Sequence, residues 1–105
     1  MYVIVTTKPG QYHSSIDHGG QLQESYEYVF YGRLKAIYQI VLLEGESRVT
    51  ITEESPPFIR NSVPTKFLEK YATLEQARQE LEHLVGFGGL EATLRRCDTL
   101  SRQEA

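Results

Sequence analysis

The segment Tyr26–Glu54, YEYVFYGRLKAIYQIVLLEGESRVTITEE, has the strongest structural pattern in the chain. It contains three runs of β-branched and aromatic residues, separated by Gly32-Arg33 and by residues 44–46 around Gly45. Such runs joined by short glycine-containing loops are typical of β-hairpins. The segment therefore predicts a central three-stranded antiparallel meander.

The flanking segments predict a further strand and two helices. Residues 2–6 are short and β-branched and end at a Lys-Pro-Gly sequence, which indicates a strand followed by a turn. Thr73 and Gln76 have the spacing of a capping box, and an apolar stripe at helical spacing continues to Val85. Beyond the following glycines, residues 90–97 predict a second, shorter helix.

The remaining segments are predicted to be loops within one domain. Residues 8–24 are polar and lack any helical or alternating period, so they predict a long loop, and residues 99–105 predict a frayed tail. Residues 66–71 fit either a short helix or a strand. A chain of 105 residues is long enough for one core. The sequence thus predicts a single α+β domain over 1–105, with an antiparallel sheet of about four strands and a C-terminal helical hairpin packed on one face.

The composition excludes several classes of protein. Eleven Lys and Arg residues against 14 Asp and Glu residues give a net charge of −3, which provides no general attraction to nucleic acid or anionic membranes. Cys97 is the only cysteine, so an intramolecular disulfide cannot form. The run Ile40–Leu43 is far shorter than the roughly 20 apolar residues of a membrane helix, and the first residues do not resemble a secretory signal. We therefore expect a cytoplasmic protein without membrane contact.

Apolar residues are expected on both faces of the middle strand of the meander, whereas one long helix covers only one face. The uncovered face is then an interaction surface, predicted to comprise Val29, Tyr31, Tyr38, Ile40, Leu42 and Arg48. Aromatic and aliphatic side chains beside an arginine are favoured at protein interfaces. This surface predicts a homodimer, or contact with a partner protein or a small ligand. Alternatively, residues 8–24, residues 55–65 or the second helix cover the same face.

A second hypothesis concerns metal binding. His13, Asp17 and His18 lie within one predicted loop, and two imidazoles with one carboxylate suit a divalent metal such as Zn²⁺ or Fe²⁺. This alternative describes a small metal-binding or enzymatic auxiliary component of a multicomponent redox system. No other cofactor is indicated, and a polar loop with solvated histidines accounts for the same residues.

The absence of a recognisable catalytic motif favours a non-catalytic cytoplasmic binding or accessory protein over an enzyme. Single-stranded nucleic acid is a lesser alternative, because tyrosines such as Tyr26, Tyr28 and Tyr38 alternate along the predicted strands and aromatic rings stack on bases. The acidic balance of the chain argues against that partner.

Overall fold

The computed structural model describes residues 1–86 and 92–97. Its elements, in chain order, are β1 (Tyr2–Thr7), β2 (Tyr12–Ile16), β3 (Gly20–Phe30), β4 (Arg33–Leu43), β5 (Arg48–Glu53), β6 (Arg60–Pro64), a 3-10 helix (Thr65–Phe67), α1 (Leu74–Gly86) and β7 (Ala92–Cys97). Four strands form a large antiparallel sheet in the order β1-β4-β3-β7, and three form a small antiparallel sheet in the order β2-β5-β6. The predicted α+β class with antiparallel strands is confirmed, but the described strands form two sheets rather than the single sheet of about four strands that was predicted.

The large sheet lies between the small sheet and α1. Successive side chains of a strand point to opposite faces, so the neighbours Ile40 and Val41 of β4 enter different cores. Val41 packs with Val3, Val5 and Val49 between the two sheets. The core on the other face lies beneath the helix and contains Ile40, Ala77 and Leu81. Both faces of the middle strand are therefore covered here by elements of the same chain.

The β3–β4 hairpin differs in register from the sequence prediction. Its two-residue loop is Tyr31-Gly32 rather than Gly32-Arg33, and the pairing shifts again next to Lys35. An extra residue in one strand moves every following side chain to the other face. As a result Tyr26 lies opposite Tyr38, both on the face covered by α1.

The predicted three-stranded meander is wrong, because β5 does not pair with β4. Residues 44–47 lead the chain from the large sheet to the small one, where β5 lies between β2 and β6. The prediction of a long loop over residues 8–24 is also wrong, because part of this stretch forms strands. That stretch contains β2, which supplies a neighbour for β5, and the start of β3. The buried residue of β2 is Ser14, which is polar. The strand therefore lacks the alternation of apolar and polar residues by which it could have been predicted.

The predicted C-terminal helical hairpin is also wrong, since the described residues contain one α-helix. Residues 92–97 form β7, which pairs with β3 along the edge of the large sheet. Leu94 points into the core under α1, whereas Thr93 and Arg95 are exposed, as expected for a strand with one covered face. The beginning of the predicted helix and the tail 99–105 lie outside the described residues.

The first strand and the first helix are confirmed. The Thr73 hydroxyl accepts the Gln76 N–H at 3.1 Å, and the Gln76 side-chain oxygen accepts the Ala72 N–H at 3.0 Å. The two bonds satisfy donors at the helix start, as in a capping box displaced by one residue. Residues 66–71 are neither one helix nor one strand: the 3-10 helix ends at Phe67, and Tyr71 forms an isolated bridge to Tyr2.

Candidate functional site

One end of the molecule combines two exposed connections. Thr7 at the end of β1 pairs with Ile37, so the β3–β4 hairpin continues beyond β1. Tyr12 bridges to Lys8 and pairs with Glu53, which brings the β5–β6 loop to the same end. We call residues 29–35 and 53–59 together the hairpin end.

Tyr31 occupies the tip of the hairpin in an unusual backbone conformation. Its φ is 53° and that of Gly32 is 73°, the sign pattern of a type I′ turn. Asn-Gly is strongly preferred for such turns, because a side chain other than Asn, Asp or Gly is strained at positive φ. The Tyr31 side chain is 66% exposed and meets the Phe30 ring edge-on at a centroid distance of 4.4 Å. Tyr31 is therefore a fixed, solvent-facing aromatic residue.

The β5–β6 loop presents Phe58 and Ile59 to solvent at the same end. The Phe58 N–H donates to the Ser55 carbonyl at 2.8 Å, and the Glu53 N–H donates to the Ile59 carbonyl at 2.9 Å. These bonds fix the loop backbone. Two exposed apolar side chains are thus held in place beside the strand ends.

The β3–β4 hairpin and the β5–β6 loop carry side chains of opposite charge. The hairpin carries Arg33 and Lys35, and the loop side carries Glu53 and Glu54. None of the four forms an ion pair with another described residue. The hairpin tip is therefore apolar and basic, and the 53–59 loop is apolar and acidic.

The six residues of the interaction surface predicted from the sequence do not form one surface. Ile40 is fully buried beneath α1, so it cannot contact a partner. Arg48 lies in the small sheet and donates to the Ser62 hydroxyl at 2.6 Å. The register shift and the transfer of β5 to the second sheet separate the six residues, of which Val29 and Tyr31 lie at the hairpin end and Tyr38 and Leu42 are half-buried in β4.

The structure does not bring His13, Asp17 and His18 together as a metal site. His13 lies in β2, and Asp17 directly follows the last residue of that strand. The backbones of His13 and Asp17 are therefore separated by roughly 13 Å, the length of four strand residues. Asp17 instead accepts a long hydrogen bond of 3.4 Å from the Thr50 hydroxyl. Within residues 1–86 and 92–97, no group of three or more His, Cys, Asp or Glu side chains is arranged to hold a metal ion.

A buried carboxylate, Glu24, connects three elements of the fold. Arg78 of α1 donates two hydrogen bonds to it, Tyr26 donates a third, and Arg96 of β7 lies 3.5 Å away. The hydrogen bonds from Arg78 hold the pKa of Glu24 at about 2, well below its usual range. The carboxylate is thus ionised and fully partnered, which suits a structural role rather than proton transfer.

Neither this network nor the exposure of Phe58 and Ile59 was predicted from the sequence. One sequence feature could have predicted that Phe58 and Ile59 are exposed: they directly follow Pro56-Pro57, and a proline pair is typical of a surface loop. Within the described residues, no helix is both long and apolar enough to cross a membrane. No protein-family model, curated protein or solved structure matches the chain, so a functional proposal depends on the geometry of these residues.

Proposed function

We propose that this chain is a non-catalytic binding or accessory protein that associates with a second copy of itself through the hairpin end. The observation that carries the proposal is Tyr31, a large aromatic side chain that is 66% exposed in a left-handed backbone conformation. A strained residue of this kind costs on the order of 1–3 kcal/mol and is found most often at functional sites. Tyrosine is also among the residues that contribute most to binding at interfaces.

The occupant that best complements this surface is another hairpin end. In a two-fold symmetric dimer the same patches are used by both copies, so the hairpin tip of one chain faces the 53–59 loop of the other. Arg33 and Lys35 then lie opposite Glu53 and Glu54, while Tyr31 meets an apolar loop. Such charge complementarity fixes the orientation of the partners and disfavours incorrect pairings.

The two alternatives predicted from the sequence have less support. The metal hypothesis needs His13, Asp17 and His18 close together, and they are spread along and beyond β2. Base stacking needs exposed rings, but Tyr26 and Tyr38 pack against the core under α1.

The Tyr31→Asn variant separates stability from association. Asparagine tolerates positive φ, so we expect the variant monomer to gain about 0.5–1 kcal/mol in free energy of unfolding. Loss of the aromatic anchor is expected to weaken self-association at least about tenfold, which corresponds to about 1.4 kcal/mol. Urea unfolding of dilute protein measures the first effect, and sedimentation equilibrium at micromolar concentration measures the second.

The matched control is Phe67→Asn. Phe67 is 71% exposed and follows Pro64, which pairs with Arg48 at the opposite end of the small sheet. This variant should associate like the wild type. A wild-type chain that remains monomeric at micromolar concentration, or equal association of Tyr31→Asn and wild type, contradicts the proposal.

A further inference from the structure

A cavity of about 180 Å³ lies along the outer edge of β1. Three consecutive residues of that strand, Ile4, Val5 and Thr6, form one wall. The rest of the lining comes from the small sheet and the segment after the 3-10 helix, namely Tyr12, Ser14, Val49, Ile51 and Leu68. The cavity is therefore mainly apolar and is bordered by a strand edge.

The backbone of β1 is unpaired where it borders the cavity. Tyr2 exchanges two backbone hydrogen bonds of 2.8 Å with Tyr71, and Lys8 exchanges bonds of 3.1 and 2.9 Å with Tyr12. Backbone groups alternate in direction along an antiparallel strand, so those of Ile4 and Thr6 point to the same outer side. No described residue forms a hydrogen bond with them on that side. Two donors and two acceptors therefore face outward between the two bridges.

One residue of the cavity lining, Ser14, carries a buried hydroxyl without a partner. Ser14 is 2% exposed, and its Oγ forms no hydrogen bond within the described structure. The neighbouring polar groups are already engaged with each other, since the Ser14 N–H donates to Thr7 Oγ1 at 3.0 Å. A buried polar atom left unpaired is costly, and such atoms are rare in folded proteins. The cavity thus combines a mainly apolar lining with an unused strand edge.

We propose that this cavity binds a peptide-like ligand, with one apolar residue extended beside β1 and its flanking amide groups paired with the backbone of Ile4 and Thr6. Addition of an extended segment to a strand edge is a common mode of peptide recognition, in which backbone bonds supply affinity and a pocket selects the side chain. A cavity of about 150 Å³ takes up benzene, so this one has room for a side chain the size of Val or Leu.

The bridges at Tyr71 and Tyr12 limit the length of the ligand. They occupy the β1 edge on both sides of the cavity, which leaves room for a chain end or a single capped residue rather than a long strand. The site does not require the dimer, so it can be tested in the Tyr31→Asn variant as well as in the wild type.

The test is an NMR titration of the full ¹⁵N-labelled chain with N-acetyl-valine N-methylamide. We expect a dissociation constant on the order of 1 mM, with the largest amide shifts at Ile4 and Thr6. The methyl ester of N-acetyl-valine has the same shape but lacks one N–H donor. It should bind about five- to tenfold more weakly, the effect of one hydrogen bond.

One variant tests the lining. Ile51→Trp is expected to fill the cavity and abolish binding. Ser15→Ala, on the exposed side of β2, is the control and should bind like the wild type.

Three results would overturn the proposal. The first is no shift at Ile4 and Thr6 at saturating probe, as expected if the cavity holds water only. The second is equal affinity for the amide and the ester. The third is unchanged binding in a folded Ile51→Trp variant.

Discussion

Glu24→Gln is expected to lower the free energy of unfolding by about 3 kcal/mol at neutral pH, because it removes the charge from a buried ion pair. Glu24 is 3% exposed and holds together β3, α1 and β7 through Arg78 and Arg96. A neutral amide cannot accept the same bonds from both guanidinium groups, and it donates where the Tyr26 hydroxyl also donates. Urea unfolding of both proteins at pH 7 measures the difference.

The same network predicts how stability depends on pH. The pKa of Glu24 falls from 4.5 to about 2 on folding, chiefly through the hydrogen bonds from Arg78. A lowered pKa gives stability that is fully present above pH 4.5 and is lost as the pH falls towards 2. The wild type should therefore lose about 3 kcal/mol from this group over that interval.

Unfolding curves of the wild type and Glu24→Gln between pH 7 and pH 2 provide the measurement. The difference between them should shrink as the pH falls. Glu46→Gln is the control, since Glu46 is exposed and has no ion pair within the described residues. If the difference in free energy of unfolding between the wild type and Glu24→Gln is the same at all pH values, folding does not lower the pKa of Glu24, and the prediction is contradicted.

Leu81→Ala is expected to lower the free energy of unfolding by about 3 kcal/mol. Leu81 is fully buried and packs with Ala77 and Ile40, so truncation leaves a cavity between α1 and β4. Leu84, three residues along the same helix, is 38% exposed. Its replacement by Ala should cost less than about 1 kcal/mol. Chemical unfolding measures both variants.

The comparison of Leu81→Ala with Leu84→Ala tests which face of α1 packs against β4. Both belong to the apolar stripe that the sequence shows, and both changes remove the same atoms and favour helix formation equally. Similar losses of stability in the two variants would contradict the packing of α1 on the Ile40 face of β4.

Local patterns allowed part of the fold to be predicted. The strand at residues 2–6 and the helix after Thr73 follow from β-branched runs, a cap and helical spacing, all of which are properties of neighbouring residues. β7 was missed because Leu90 and Leu94 fit helical spacing as well as Ala92 and Leu94 fit alternation. Pairing with β3, which is remote in sequence, decides between the two.

The register and the site depend on still less local information. The pairing shift at Lys35 exchanges the faces of the hairpin, and no residue type near it marks the shift in advance. Tyr31 was predicted as an interaction residue, but its position at the hairpin tip differs from the sheet face that was expected. Phe58 lies at the same end as Tyr31 because β5 runs antiparallel to β2, whose first residue, Tyr12, bridges to the end of β1.

The dimer proposed here is tested most directly by reversing its two charge patches separately. In one variant Arg33 and Lys35 become Glu, and in the other Glu53 and Glu54 become Lys. Each variant alone places like charges opposite one another in a two-fold dimer and should sediment as a 12.0 kDa monomer.

Mixing the two variants restores opposite charges at both contacts. Sedimentation equilibrium of the equimolar mixture should therefore show a species of twice the monomer mass, with affinity similar to that of the wild type. A mixture that remains monomeric while the wild type dimerises, or two variants that each dimerise alone, would contradict association through the hairpin end.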